Sequence, residues 1–506
     1  MLRKTLILFI ASMALILGFS ALSLDTEELD SSLESSEDLS QDSLEDLLEE
    51  TTGERERFII EINPSLYSSQ VLEDAGVNIR YEYRIIEGVA VEAPPDAVNI
   101  LEQLDFVENV RPDLDTELPV LDGESSEGEA ESYSGGEDRV VAVLDTGIDD
   151  SHIDLEGEVV DHRDFTGTGS EDRHGHGTHV AGISSGTGDG NSEYIGVAPD
   201  SSLMNVKVLR DDGSGSSSDA IRGIEYAVDN NADVIVMSLG VRTDCDGSDP
   251  LSQAADNAVS EGVPVIVSAG NDGPESETIT SPGCARNVFT IGASGNENVA
   301  SFSSRGPTSD GQVKPDIVAP GVNIMAAEAG TQDRYTSKSG TSMSAPYVGG
   351  AVTLLMGEYD GSPEDYYEAL SETAYTLNED RYTEGDGQIN ITAALNYWNN
   401  NENRESEDSE DFESGQDTDR PTEEDRQKAE QHENVGEVDE SPRQETRDNR
   451  DYWIYRGIDN EGKHINVRVD RETGETTVER PEDYRALINL LFTLRDNLQE
   501  FLSSYL

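Results

Sequence analysis

The chain has 506 residues, which is enough for two to four domains with cores of ordinary size. Its formal net charge is −72, and residues 141–390 alone hold 42 acidic and 12 basic side chains. We therefore expect no nucleic-acid partner, because its phosphates would be repelled. Only six lysines accompany 28 arginines. We interpret this as adaptation to high salt, which screens self-repulsion; a merely acidic exported protein is the alternative.

The first residues have the composition of an export signal. Arg3 and Lys4 precede an apolar run that reaches about Leu22, followed by small residues. This pattern is typical of a secretory signal peptide over residues 1–23. We expect a secreted, extracellular protein, with an uncleaved membrane anchor as the alternative. Residues 24–56 are acidic and have no strand periodicity, which predicts a disordered spacer.

A small α/β domain is predicted over residues 57–119. The stretches RFIIEI, IRYEYRI and GVAVEA alternate apolar and polar side chains like half-buried strands, and two helix candidates lie between and after them. Residues 120–138 are acidic and rich in Gly and Ser, which indicates an exposed linker.

Residues 139–399 contain the apolar runs VVAVLD, LMNVKVL, VIVMSLG, VPVIVSAG and VFTIGAS, separated by helical stretches. This order predicts an α/β domain with a parallel sheet and helices on both faces. Residues 400–451 form a charged segment that predicts a disordered linker. Residues 452–506 predict a small α+β domain, with the strands YWIYRGI and HINVRVD and a terminal helix from about residue 482. We expect that helix to dock on the strands, rather than bind a partner or a membrane.

Four polar side chains fall where chemistry is expected, at the ends of the sheet strands. Asp145 ends one strand, Asn271 ends another, one of the histidines of HGHGTHVAG stands where an apolar helix opens, and Ser342 precedes a long helix. Nucleophilic acyl transfer needs a hydroxyl, a base and an acid that orients the base. Each residue alone is more readily a cap or turn residue. Their occurrence together in one domain favours a catalytic site.

Two other classes of protein remain open at this point. His174, His176 and His179 lie within six residues and could bind a metal in a metallohydrolase, although no carboxylate ligand stands at a suitable spacing. A binding module that keeps the fold without activity is the third hypothesis, and the occupied catalytic positions argue against it.

The stretches VAVLDTGID, HGHGTHVAG, SLG, SAGN and GTSMSAP resemble the signature segments of subtilisin-like serine proteases, the subtilases. They also occur in that family's order of Asp, His and Ser. The resemblance covers about residues 139–399. It implies a subtilisin-like fold and a serine endopeptidase that acts on proteins or peptides without a catalytic cofactor. It further implies Asp145 as the orienting acid, His176 as the general base, Ser342 as the nucleophile and Asn271 as the oxyanion-hole donor. With His176 as the base, we expect His179 to pack beside it and His174 to be exposed.

The resemblance also implies a set of substrate-binding residues. These are a strand that pairs with the substrate, one wall of the S1 pocket and a residue near its base: Ser238, Leu239, Gly240, Ser268, Ala269, Gly270 and Thr280. Residues 57–119 resemble the family's inhibitory propeptide. We therefore expect a monomeric, autoprocessed zymogen that its own propeptide inhibits and that is cut between about residues 114 and 136.

Two structural sites complete the expectations. Cys245 and Cys284 are the only cysteines, and a lone pair in an exported protein favours one disulfide over two buried thiols. Asp154 matches a position that often binds a structural calcium ion in subtilases. The loop GTGDGNSEYIG does not match the family's calcium loop, so a helix or loop cap is the alternative role for Asp154.

Overall fold

The computed structural model describes residues 55–74, 76–116, 118, 121–122, 133–295 and 298–397, together with five strands between residues 435 and 479. The chain divides into two compact units after residue 403. The predicted signal peptide, most of the acidic spacer and the terminal helix lie outside the described residues. Among the helices that are described, none is long and apolar enough to cross a membrane.

The first unit begins with a four-stranded antiparallel sheet, here called the N-terminal sheet. Its strands are β1 (Glu56–Ile62), β2 (Asn78–Glu82), β3 (Gly88–Ala93) and β4 (Val107–Pro112), in the order β2-β3-β1-β4. Two short helices follow strands β1 and β3: α1 (Ser69–Asp74) and α2 (Val98–Leu101). The strands and helices fall within the α/β region predicted over residues 57–119.

Alternate residues of β1 enter two different cores, because successive strand residues point to opposite faces. Phe58 and Ile60 pack with Leu72 and Leu101 of the two helices. Ile59 points the other way and belongs to a core that includes Ile221, far along the chain. The N-terminal sheet is therefore covered on both faces, by its own helices and by the larger domain that follows.

The larger domain is built on a seven-stranded sheet in which every pair is parallel. The sheet order is β14-β13-β12-β11-β7-β9-β8. The remaining strands of this unit are, in chain order, β5 (Asp115–Thr116), β6 (Leu121–Asp122), β7 (Val140–Asp145), β8 (Val159–Asp164), β9 (Ser202–Lys207), β10 (Gly215–Ser216), β11 (Val234–Met237), β12 (Val265–Ser268), β13 (Phe289–Ser294), β14 (Ile317–Pro320), β15 (Ile324–Ala327) and β16 (Tyr335–Ser339). The predicted parallel sheet is confirmed.

Helices cover both faces of this sheet, as the sequence predicts. They are α3 (His176–Ser185), α4 (Ser217–Asp229), α5 (Pro250–Ser260), α6 (Thr341–Glu358), α7 (Pro363–Thr373), α8 (Arg381–Glu384) and α9 (Ile391–Leu395). Successive side chains of β7 point to opposite faces of the sheet and contact different helices. Val143 packs with Val180 of α3 and Val348 of α6 on one face. Leu144 packs on the opposite side, with Ile221 of α4.

The second unit holds five antiparallel strands: β17 (Val435–Val438), β18 (Arg443–Arg447), β19 (Arg450–Asp459), β20 (His464–Asp470) and β21 (Thr476–Glu479). Strands β19 and β20 contain the two strands predicted from the sequence. Strands β17 and β18 lie inside the predicted linker over residues 400–451. Their polar sequences carry no apolar alternation, and strand pairing through the backbone does not require one.

Candidate active site

Asp145 and His176 meet where β7 ends and α3 begins. Both side chains are fully buried. Nδ1 of His176 lies 2.8 Å from one carboxylate oxygen of Asp145 and 2.9 Å from the other. Because an ionised carboxylate only accepts hydrogen bonds, the proton of the neutral ring is held on Nδ1. Nε2 is then the acceptor of the ring, and it has no hydrogen-bond partner among the described residues.

A glycine next to the histidine allows this contact. A Cβ atom on Gly177 would collide with the carbonyl oxygen of Gly147 and lie 3.1 Å from Cβ of Asp145. The loop after β7 and the first turn of α3 can therefore touch only if this position has no side chain. The motif HGT places the base against the acid by close backbone approach.

Ser342 is the second residue of α6 and is buried beside the end of β11. Its Oγ lies 3.4 Å from the carbonyl oxygen of Ser238, and Oγ of Ser238 donates to the Ser342 carbonyl at 2.9 Å. Within the described part of the chain, no hydrogen bond joins Ser342 to His176. In serine hydrolases this link often tightens only when substrate binds. The structure thus brings together Asp145 and His176, and positions the Ser342 hydroxyl at a helix N-terminus.

Asn271 follows β12 and is oriented by Thr341, the residue before Ser342. Its Oδ1 accepts hydrogen bonds from the backbone N–H and the hydroxyl of Thr341, each at 3.0 Å. Because the amide oxygen accepts from Thr341, the NH₂ group is the part of the side chain that can donate to another group. A donor held this close to the start of α6 has the chemistry of an oxyanion hole.

Asp172, which was not among the residues predicted from the sequence, organises the loop before His176. One carboxylate oxygen accepts from the N–H groups of His174 and Gly175 and from the Thr146 hydroxyl, at 2.8 to 3.0 Å. The other accepts from the N–H and hydroxyl of Thr178, at 2.9 and 2.6 Å. Asp172 is 4% exposed. Asp172 stands three residues before Gly175, the N-cap residue of α3, so the sequence pattern of a helix cap does not identify it.

A buried lysine supports the strand that carries Asp145. Lys207 pairs with Asp145 in the sheet, and its ammonium group donates to the carbonyl oxygen of Thr146 and to Asp211. The Lys207 hydrogen bond lowers the pKa of the Asp211 carboxyl. One of the chain's few lysines therefore fixes the backbone next to the orienting acid.

The three neighbouring histidines have different partners. Nε2 of His179 lies 3.1 Å from the carbonyl oxygens of Ile324 and Thr336, and burial lowers its pKa to about 3. His174 is half-buried rather than exposed as expected, and its ring centre is 6.4 Å from that of His176. No group of three metal-binding side chains occurs in the described regions. The geometry therefore favours one base with two neighbours over a metal cluster.

The expected substrate-binding residues lie at the ends of β11 and β12, here called the two walls of the expected substrate slot, with Thr280 in the chain beyond β12. Ser238, Leu239, Ser268 and Ala269 are buried at the ends of β11 and β12. Oγ1 of Thr280 would lie 3.0 Å from a Cβ atom on Gly270 and would collide with one on Gly240. Thr280 thus touches both walls. Its place near the base of the pocket stays a prediction.

Cys245 and Cys284 form a disulfide with their Cα atoms 5.5 Å apart. Cys245 follows β11 and Cys284 follows β12, so the bridge connects the loops beyond both walls of the slot. The structure therefore contains the expected disulfide, and not two separate buried thiols.

Asp154 binds protein groups through both carboxylate oxygens. Oδ1 accepts from the Gly190 N–H at 2.7 Å and Oδ2 accepts from the Tyr335 hydroxyl at 2.8 Å. Burial, followed by the Asp154 contact, raises the pKa of Tyr335. Ca²⁺ takes six to eight oxygen ligands, whereas the Gly190 and Tyr335 groups that contact Asp154 donate hydrogen bonds to it. Both contacts match the alternative role of Asp154 as a loop cap.

The model of the peptidase S8 family, the subtilase family, matches residues 136–420. The chain belongs to the subtilase family. Serine protease AprX of Bacillus subtilis (strain 168) is 39% identical over 290 residues, which cover 50% of this chain and 65% of that protein. Subtilisin DY of Bacillus licheniformis is 40% identical over 272 residues, which cover 53% of this chain and 93% of that protein.

A solved structure supports the fold. The crystal structure of fervidolysin from Fervidobacterium pennivorans, a keratinolytic enzyme related to subtilisin, matches with a TM-score of 0.57 at 24% identity. The match covers 68% of this chain and 61% of that one. This subtilase is therefore a serine-type endopeptidase with the subtilisin-like fold, and subtilase catalysis uses no cofactor.

Proposed function

We propose that Asp145, His176 and Ser342 form the catalytic triad of this subtilase. The Ser342 hydroxyl attacks the carbonyl carbon of a protein or peptide substrate, and Nε2 of His176 takes its proton. Asp145 holds the Nδ1 proton and stabilises the imidazolium that forms. His176 then gives the proton to the leaving amine, and water hydrolyses the acyl-enzyme.

Asn271 completes the site as a donor to the developing oxyanion. Its amide oxygen is held by Thr341, so its NH₂ group and the Ser342 N–H form the donor pair. Their partial positive charge adds to that of the α6 N-terminus, and stabilises the tetrahedral intermediate more than the planar substrate.

The observation that carries this proposal is the buried contact between Nδ1 of His176 and both oxygens of Asp145. A fluorophosphonate probe tests it, because the probe reacts only with an activated serine. We expect label on the wild-type chain and none on Ser342→Ala. Ser344→Ala is the matched control, since Ser344 lies on the same helix but donates to the Ala319 carbonyl. Label that survives Ser342→Ala, or no label on the wild type, would refute the assignment.

We also propose that the N-terminal sheet is the inhibitory propeptide of a zymogen. Its support is the complementary face that the sheet presents to α4 and α5. The Glu225 carboxylate accepts from the N–H groups of Arg84 and Ile85, at 2.6 and 2.9 Å. The Asp113 carboxylate accepts from the N–H and hydroxyl of Ser218, capping the first turn of α4. The separated N-terminal part, added back to processed enzyme, should inhibit peptide hydrolysis; unchanged rates would contradict this role.

Secretion and salt adaptation complete the proposed function. The signal-like N-terminus supports export, and sequencing the N-terminus of protein recovered from the culture medium tests it against a retained anchor. The charge balance supports salt adaptation, as does the burial of Lys207 and Lys314, which leaves few lysines on the described surface. We expect the melting temperature and turnover to rise as salt is increased toward molar levels. Full stability in dilute buffer would count against adaptation.

A further inference from the structure

A second buried carboxylate, that of Asp172, is bonded to the segments that carry Asp145 and His176. Asp172 is 4% exposed and accepts five hydrogen bonds, from N–H groups and hydroxyls, at 2.6 to 3.0 Å. Four of these bonds come from the loop that leads into α3 and from the first turn of that helix. The fifth comes from the hydroxyl of Thr146, in the loop after β7. Asp172 therefore joins the end of the Asp145 strand to the start of the His176 helix.

Thr146 links Asp172 to both Asp145 and His176. Its N–H donates to Oδ1 of Asp145 at 2.7 Å, and its hydroxyl donates to Asp172 at 2.9 Å. The same hydroxyl accepts from the N–H of Gly177, the residue after His176, at 3.0 Å. Thr146 thus fixes one oxygen of the Asp145 carboxylate and the backbone next to His176 at the same time.

The contacts of Asp172 require a carboxylate. Each of its two oxygens accepts from at least one backbone N–H. An asparagine in its place would, in either orientation, direct its NH₂ group at an N–H group that cannot accept. Lys207, whose side chain is fully buried, also holds Thr146 by donating to its carbonyl oxygen. The position of Thr146 therefore depends on one buried anion and one buried cation.

We propose that Asp172 is a positioning residue of this subtilase, which holds Asp145 and His176 in their mutual orientation through Thr146 and the start of α3. This rests on the proposed catalytic triad. Asp172 itself binds no substrate and transfers no proton. The His176 ring must stay aligned with Asp145 through one nitrogen and with Ser342 through the other. Misplacing reacting groups by about 1 Å can cost about 10²-fold in rate, so a small movement of the loop lowers turnover.

Peptide-hydrolysis kinetics test this role, with rates normalised to the folded fraction measured by circular dichroism. We expect Asp172→Asn to lower kcat by about 10- to 100-fold and to leave KM unchanged, because the substrate contacts remain. Glu384→Gln is the matched control, since Glu384 is 5% exposed and also accepts from a threonine hydroxyl and a backbone N–H, at 2.6 and 2.7 Å. Its kcat should equal that of the wild type. Equal kcat for Asp172→Asn and Glu384→Gln, or a raised KM at unchanged kcat, would overturn the inference.

Two substitutions of Thr146 keep the inference testable if Asp172→Asn does not fold. Thr146→Val keeps the branched shape and removes the hydroxyl, so that Asp172 and the Gly177 N–H each lose a partner. Its kcat should fall at least about tenfold. Thr146→Ser keeps the hydroxyl and should retain the kcat of the wild type. The same kcat for the valine and serine variants would contradict the proposed role.

Proton NMR provides a readout that a loss of stability alone would not change. The Nδ1 proton that His176 shares with Asp145 should give a resonance far downfield of the amide protons. We expect Asp172→Asn and Thr146→Val to shift or broaden it, and Glu384→Gln to leave it in place. A resonance identical to that of the wild type in both variants would overturn this inference and leave the proposed function standing. Absence of fluorophosphonate label on the wild type would instead refute the proposed function, and this inference with it.

Discussion

Removing the disulfide should destabilise this subtilase by an amount that the loop length determines. The bridge joins cysteines separated by 39 positions. The chain-entropy relation gives about 4 kcal/mol for a closed loop of this size at 25 °C. A domain of this size loses roughly 2–4 °C of melting temperature per kcal/mol. We therefore expect the double variant Cys245→Ala, Cys284→Ala to melt about 8–16 °C below the wild type.

Scanning calorimetry or fluorescence-detected melting would measure this change in melting temperature. The wild type treated with reductant is the control that separates loss of the cross-link from loss of packed sulfur atoms. Cys284 is fully buried and Cys245 is 8% exposed, so alanine removes packed sulfur atoms as well as the cross-link. Reduced wild type keeps the sulfur atoms, and its difference from oxidised wild type isolates the cross-link. Reductant should not change the melting temperature of the double variant. A double variant that melts together with the oxidised wild type would refute the loop-entropy reasoning.

Four further substitutions test the site. Asp145→Asn should lower kcat by about four orders of magnitude in peptide-hydrolysis assays, because an amide no longer holds the proton on Nδ1. Asn271→Ala should lower kcat by about 10²–10³ and leave KM nearly unchanged. Thr280→Gly should open the slot, so that kcat/KM for substrates with a large aromatic P1 residue rises relative to those with alanine. Tyr335→Phe should lower the free energy of unfolding by about 1.5–3 kcal/mol in denaturant titrations; chelator should not reproduce this loss if Asp154 binds no calcium.

Contacts between distant residues could not be predicted from the sequence. The Tyr335 hydroxyl donates to Asp154, which lies 181 positions earlier in the chain, and no sequence pattern around either residue identifies the other. The half-buried position of His174 has the same origin, because its neighbour Gly213 comes from a separate loop. Asp172 stands four residues before His176, outside the N-cap position of α3, and its bond to Thr146 joins residues that are 26 positions apart, so the sequence identifies neither contact.

The arrangement of the site was predictable because its constraints are local. Two helix starts must approach strand ends closely, and that approach restricts the residue type at the point of contact. Gly177 adjoins His176 because a Cβ atom would strike the Gly147 carbonyl. Gly340, with φ at +151°, turns the chain into α6 just before Ser342. These glycines adjoin His176 and Ser342, so a short motif contains both the functional residue and the glycine that its backbone path requires. The bond between Asp154 and Tyr335 places no such requirement on the residues next to either of them.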